Sequence, residues 1–339
     1  MNEGVVWGFA GVLLGGFLNG TFVLPMKRMP EWKWENTWLV YSVVGLIVVP
    51  WITAIAVVPQ LGHIFHQTPW PTLTKVLIFG FGWGVGSVLF GLGVNRLGLA
   101  VGYGIILGLN SVIGALLPLL VLHPERLWTR QAKALFAATL LVIAGIVFCA
   151  VAGRRRDKEV KELAPMVQGG FLPGLVICIL AGILSPMLNF AFVFGETLQR
   201  QAISLGSRTN MASNAIWSLA VTAGFVANFG YCVRLLQKNR SWGYFSAPAH
   251  PARYWLGGSL MGMLCFGSFI AYGMGATALG PLGGILGWPL FLSMSIVTSN
   301  LWGALTGEWR GASHGSYAYF LAGIGFLFVA ITVIARGGS

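Results

Sequence analysis

Ala134-Leu-Phe-Ala-Ala-Thr-Leu-Leu-Val-Ile-Ala-Gly-Ile-Val-Phe-Cys-Ala-Val-Ala152 carries no charged residue over nineteen positions, whereas the sixteen residues that follow, Gly153-Arg-Arg-Arg-Asp-Lys-Glu-Val-Lys-Glu-Leu-Ala-Pro-Met-Val-Gln168, carry eight. An uncharged apolar run of this length is long enough to cross a bilayer as a helix, for which about 18–20 residues suffice. The charged stretch is its opposite, a solvated linker, and it falls near the middle of the 339-residue chain.

Similar apolar runs recur on both sides of that linker. Ten spanning helices are predicted, near 4–25, 38–58, 73–94, 98–122, 132–152, 170–193, 212–234, 254–278, 283–306 and 316–336. Each run is long and none alternates polar with apolar, which selects helices over barrel strands. Composition agrees: 56% of the residues are hydrophobic and 9% are charged, against roughly 25% charged in soluble domains. The fold class is therefore an all-α integral membrane protein embedded in a lipid bilayer.

The net charge of +12 does not point to nucleic acid, because the basic residues sit in short loops between apolar runs. Loops after the odd-numbered helices hold fourteen Lys and Arg, and the other side holds seven. The positive-inside rule then predicts both termini outside the cytoplasm. Trp7, Trp32, Trp34, Trp38, Trp70, Trp128, Trp242 and Trp309 fall near predicted helix ends, where amphipathic rings favour the membrane interface. Cys149, Cys178, Cys232 and Cys265 lie inside apolar runs without a CxxC pair and read as packing residues.

The central linker suggests a duplication. With the chain shifted by 170 residues, helix 1 matches helix 6 at Gly4/Gly174, Val6/Val176, Leu14/Leu184, Leu18/Leu188, Asn19/Asn189, Phe22/Phe192 and Val23/Val193. A shift of 182 matches helix 3 to helix 8 at Gly91/Gly273, Gly93/Gly275, Leu97/Leu279, Gly98/Gly280 and Gly102/Gly284. Five helices per half is odd, so the halves enter the membrane in opposite senses. The expected organisation is two inverted five-helix repeats, 1–152 and 169–339, joined by the basic cytoplasmic linker 153–168.

Gly15-Gly16 in helix 1 and Ser185-Pro186 in helix 6 occupy matching positions, each followed three residues later by an asparagine, Asn19 or Asn189. Interruptions at corresponding places in two halves point to a transporter's substrate site. An amide is costly in lipid, so both asparagines are expected to face the protein interior and one central cavity. Trp83, Asn110, Asn214, Tyr272 and Trp288 complete the candidate substrate-binding set. Indole faces stack on the C–H face of a sugar, and amides both donate to and accept from hydroxyls.

None of the nine acidic residues lies in the middle of a predicted span, and the five histidines lie in loops or at ends. The chain has no Walker lysine motif, no clustered metal ligands and no buried acid–base pair. An enzyme, an ATP-driven pump and a cofactor or metal site are all disfavoured. If transport is coupled to protons, the acids nearest the spans are Glu3, Glu35, Glu196 and Glu308, with Glu35 or Glu196 as the candidate carrier.

Met26-Lys-Arg-Met-Pro-Glu-Trp-Lys-Trp-Glu-Asn-Thr-Trp38, Phe79-Gly-Phe-Gly-Trp-Gly-Val-Gly86, Tyr103-Gly-Ile-Ile-Leu-Gly108, Gly182-Ile-Leu-Ser185, Asn189-Phe-Ala191 and Gly307-Glu-Trp309 occur in this order. In these stretches the chain resembles the L-rhamnose–proton symporter family of the drug/metabolite transporter superfamily, over essentially its whole length. The resemblance implies ten helices, an inverted five-helix repeat and sugar uptake driven by protons across the bacterial inner membrane. The expected function is carriage of a neutral monosaccharide, L-rhamnose or a related deoxy sugar, by alternating access. The alternatives are an exporter or carrier of another small metabolite, and a membrane sensor without flux.

Overall fold

Within hydrocarbon each peptide N–H and C=O must find a partner inside the protein, and a helix supplies it within one segment. The computed structural model describes residues 3–160, 171–307 and 309–337. Among them it has no strand and ten helical spans long and apolar enough to cross a membrane. In chain order, spans 1 to 10 are Glu3–Arg28, Trp34–Val57, Trp70–Gly93, Ile105–Leu122, Arg130–Arg156, Leu172–Ser204, Asn214–Lys238, Pro251–Ala278, Gly283–Leu305 and His314–Ile334. The protein is a multi-pass membrane protein. Linker residues 161–168 and Glu308 lie outside the described residues.

Spans 3 and 4 belong to one helical stretch, Trp70–Leu122, that turns back on itself. A Cβ on Gly93 would lie 3.5 Å from Ile106 Cδ1, whereas thirteen residues of straight helix would separate the two by about 20 Å. The Ser185-Pro186 interruption does break span 6: one helix ends at Leu184 and the next begins at Met187. The Gly15-Gly16 interruption does not break span 1, which runs as one helix from Glu3 to Thr21. These two glycines serve close packing instead. A Cβ on Gly15 would meet the carbonyl oxygen of Ser268 at 2.8 Å, and one on Gly16 that of Phe291 at 2.6 Å.

Small residues set which spans touch. Gly8, Gly11 and Gly15 face span 8, while Gly16 and Gly20 face span 9. On span 3, Gly80 and Gly84 lie against the backbone of Ala220 and Gly224 in span 7, and Gly82, Gly86 and Gly93 face span 6. Gly182 of span 6 lies against Leu109 of span 4, and Gly145 of span 5 against Gly323 and Leu327 of span 10. Without a hydrophobic drive between helices in lipid, such backbone approach supplies the packing.

The loops sort to two ends. At the basic end, Lys27 Nζ donates to Thr306 Oγ1 (2.7 Å), Lys33 Nζ to the carbonyl of Asn239 (3.4 Å), and Ser313 Oγ to Glu159 (2.6 Å). At the far end, Gln199 Nε2 donates to Thr277 Oγ1 (2.8 Å) and Ser207 Oγ to the carbonyl of Val57 (3.0 Å). Among the expected interface tryptophans, Trp7, Trp70 and Trp128 are strongly exposed. Trp32 and Trp309 are buried in ring clusters with Tyr254 and Phe245, and with Tyr317 and Phe320.

Candidate functional site

Spans 1, 2, 3, 4, 6, 8 and 9 enclose a cavity of about 270 Å³, just under the usual range of about 300–1,000 Å³ for ligand sites. It continues through Gly20, Val23, Leu107, Ile296 and Ser299 into a second chamber of similar size. That chamber reaches Lys27, Arg156 and Trp309 at the basic end. Towards the far end the cavity is capped by packed rings. Phe192 stacks on Trp217 (5.2 Å, 14°), and Phe269 and Tyr272 lie 5.9 and 6.2 Å from the same indole. All four rings are buried. Among the described residues, those that line the two chambers lead from this ring layer to the basic end.

Four of the seven candidate substrate residues line the deep cavity together: Asn19, Trp83, Asn110 and Trp288. Asn19 is half-buried, and its Nδ2 makes only a long contact, 3.4 Å, to Ser268 Oγ. Trp288 Nε1 donates to Asn110 Oδ1 at 3.1 Å, so this indole offers the cavity its ring face and the amide keeps its Nδ2 donors. The aromatic wall is extended by Phe22, Trp38, Tyr41 and Phe291, and Ser87, Ser295 and Ser299 add hydroxyls.

The other three lie outside this lining. Asn189 is fully buried, and its amide is spent on protein: Nδ2 donates to the carbonyls of Gly114 (3.1 Å) and Gly284 (3.0 Å), and Oδ1 accepts from Tyr272 (2.5 Å). The expectation that Asn189 faces the cavity beside Asn19 is therefore corrected. Close approach of spans 4 and 9 leaves its amide two backbone acceptors and no path to solvent. Tyr272 is consumed by the same bond and sits in the capping layer. Asn214 is buried at the start of span 7 and donates to the carbonyl of Met211 (2.8 Å).

Neither candidate acid lines the cavity. Glu35 is buried in the first turn of span 2, at the basic end, and accepts from Asn239 Nδ2 (2.8 Å) and Ser241 Oγ (2.6 Å). Glu196 is exposed at the far end, with Arg200 Nε 3.8 Å away. Among the described residues the deep cavity has no Asp, Glu, His, Lys or Arg in its wall. Such a wall recognises an uncharged polar molecule through amides, hydroxyls and ring faces.

Trp38, Tyr41 and Ser87 were not legible as lining residues. Trp38 lies close to the charged Lys33 and Glu35, a pattern read as membrane interface, and Ser87 is a small residue in a glycine-rich helix.

The profile of the family described as L-rhamnose-proton symport protein (RhaT) matches residues 1–338. The chain belongs to this family. It is 23% identical to the L-rhamnose-proton symporter of Klebsiella pneumoniae (strain 342), and 24% identical to those of Cronobacter sakazakii (strain ATCC BAA-894) and Yersinia pestis (strain Pestoides F). Each comparison covers 99% of both chains. The family is one of transporters, not enzymes, and an uncharged cavity open to one end of a helical bundle is consistent with that class.

Proposed function

We propose that the protein carries L-rhamnose or a related deoxy sugar across the bacterial inner membrane together with protons, by alternating access. The observation that carries this reading is the deep cavity, whose uncharged wall of amides, hydroxyls and indole faces suits a neutral monosaccharide. Family membership and the relatives' names support sugar and proton as the two cargoes. Asn19, Trp83, Asn110 and Trp288 contact the sugar in this reading, while Asn189, Tyr272 and Asn214 brace the helices behind them.

The basic end faces the cytoplasm by the positive-inside rule. The termini are then periplasmic and this conformation is inward-open, with the aromatic layer as the closed outer gate. Reciprocal packing supports two inverted repeats, 1–152 and 169–339: span 1 lies on spans 8 and 9, and span 6 lies on spans 3 and 4. Of the two acids, Glu35 is the better-placed proton carrier. It is buried one turn before the cavity residue Trp38 on the same helix, whereas Glu196 is exposed at the far end.

Uptake of radiolabelled L-rhamnose into proteoliposomes tests the reading. Accumulation driven by an imposed pH gradient is expected, and it is expected to fall with Glu35→Gln. Equilibration without accumulation counts against symport. Binding without flux favours a sensor, and neither binding nor flux favours another substrate.

A further inference from the structure

Asn228 of span 7 is 1% exposed and does not line the cavity, yet it holds two residues that do. Its Oδ1 accepts from Trp38 Nε1 (3.0 Å) and from Ser87 Oγ (2.9 Å). Its Nδ2 donates to the carbonyls of Gly224 (3.0 Å) and Gly84 (3.4 Å). A carboxamide has two donor hydrogens and two acceptor lone pairs, and each of the four has a partner within reach. This arrangement depends on the glycine seam below it. Because Gly80 and Gly84 let span 3 touch span 7, one side chain reaches the backbones of both helices and still extends to span 2.

The bonding decides what each cavity residue can offer a ligand. With its N–H taken by Asn228, Trp38 presents ring surface alone. One side of that ring is already fixed by Trp34, stacked at 4.9 Å and 19°. Ser87 has its one hydrogen committed to Asn228 or to the carbonyl of Gly84 (3.1 Å), and so keeps lone pairs for the hydroxyl hydrogens of a sugar. Trp288 is pinned in the same manner by Asn110. Two of the three indoles in the cavity wall, Trp38 and Trp288, are therefore plates locked edge-on by an amide.

We propose that Asn228 is a positioning residue for sugar recognition. It fixes Trp38 as a stacking plate and Ser87 as a hydrogen-bond acceptor, and acts on the substrate only through them. This rests on the sugar-carrier reading above and deepens it. A side chain that touches no substrate is expected to affect affinity only while its client is present.

The test is titration of the purified full-length protein with L-rhamnose by calorimetry, for the parent, Asn228→Ala, Trp38→Phe and the double variant. Asn228→Ala is expected to weaken binding about three- to tenfold, within the roughly two- to twelvefold span of a lost hydrogen bond. In the Trp38→Phe background, where the indole N–H is already gone, the same change is expected to cost less than about threefold. Equal losses in both backgrounds, or no loss in the parent, overturn the proposal while leaving the sugar-carrier reading intact. A parent protein that binds no sugar overturns both. Should Asn228→Ala fail to fold, Ser87→Ala and fluorine spectra of 5-fluorotryptophan-labelled parent carry the test. Ser87→Ala is expected to weaken binding, and the Trp38 resonance to shift on adding L-rhamnose. A variant with unchanged affinity and a Trp38 signal blind to saturating sugar overturn the proposal.

Discussion

At the scale of single residues, the two asparagines aligned by the repeat do different things. Asn19 has an amide with one long protein contact and open cavity beside it. Asn19→Ala is expected to weaken L-rhamnose binding roughly two- to twelvefold, the equivalent of about 0.5–1.5 kcal/mol, with expression and melting temperature close to parent. Asn189→Ala is expected to do the reverse. It leaves the buried Tyr272 hydroxyl the longer contact to the carbonyl of Gly284, at 3.3 Å, and removes the Asn189 donors from two backbone carbonyls. Each buried group left unsatisfied costs about 1–3 kcal/mol, so the loss appears in yield and melting temperature before affinity. Comparing the two variants by thermal unfolding and calorimetry checks both expectations. That interior amides exist here is legible from the sequence, because an amide in an apolar run must turn inward. Which amide stays free is not legible, because it depends on how closely the carbonyls of Gly114 and Gly284 approach.

At the scale of elements, the seam between spans 3 and 7 and the lock between spans 5 and 10 can each be tested. A Cβ on Gly84 would overlap the backbone of Gly224, so Gly84→Ala must push two helices apart. Overpacking of this kind costs about 1–3 kcal/mol, and the displaced seam carries Asn228 and Trp38 with it. Both melting temperature and sugar affinity are expected to fall. Gly230→Ala on the same span 7, exposed and with no neighbour within 4 Å, is the control and is expected to leave affinity unchanged. At the basic end, Glu159 accepts from the backbone N–H of Ser313 (2.8 Å) and from the hydroxyls of Ser313 and Ser316, at the start of span 10. The Ser313 hydroxyl and N–H hold its carboxyl below the usual carboxylate range. A group lowered on folding stabilises the fold above its ordinary pKa, about 4.3 for glutamate, and loses that contribution as the pH falls through the lowered value. Glu159→Gln is therefore expected to lower the melting temperature at pH 7, with the gap to parent closing under acid conditions. The glycines announced tight packing in the sequence, but their partners were hidden, because alternate glycines on span 3 serve different neighbours.

At the scale of the whole molecule, the ten spans and their all-helical character were legible because lipid admits only helices and closed barrels, and no run alternates polar with apolar. Span ends were less so: span 2 begins at Trp34, a turn earlier than its apolar run, since Trp34, Glu35 and Asn36 are buried or half-buried against neighbours. The open end of the cavity is also testable. Cys149 lines the second chamber, towards the basic end, and is only half-buried, whereas Cys178, Cys232 and Cys265 are buried. A membrane-impermeant maleimide is expected to label Cys149 in inside-out vesicles and to spare it in right-side-out ones. Labelling from the opposite side would reverse the assigned orientation. The uncharged cavity wall also has an electrical consequence. A central wall without charge among its described residues carries none through the membrane field when the carrier turns over empty, so voltage bears on the step in which the proton travels. One elementary charge crossing 100 mV is worth about 2.3 kcal/mol, roughly a fiftyfold gradient. On a supported membrane, sugar-evoked current is expected without any displacement current in its absence, and charge movement by the sugar-free protein would reveal a mobile charge within the field.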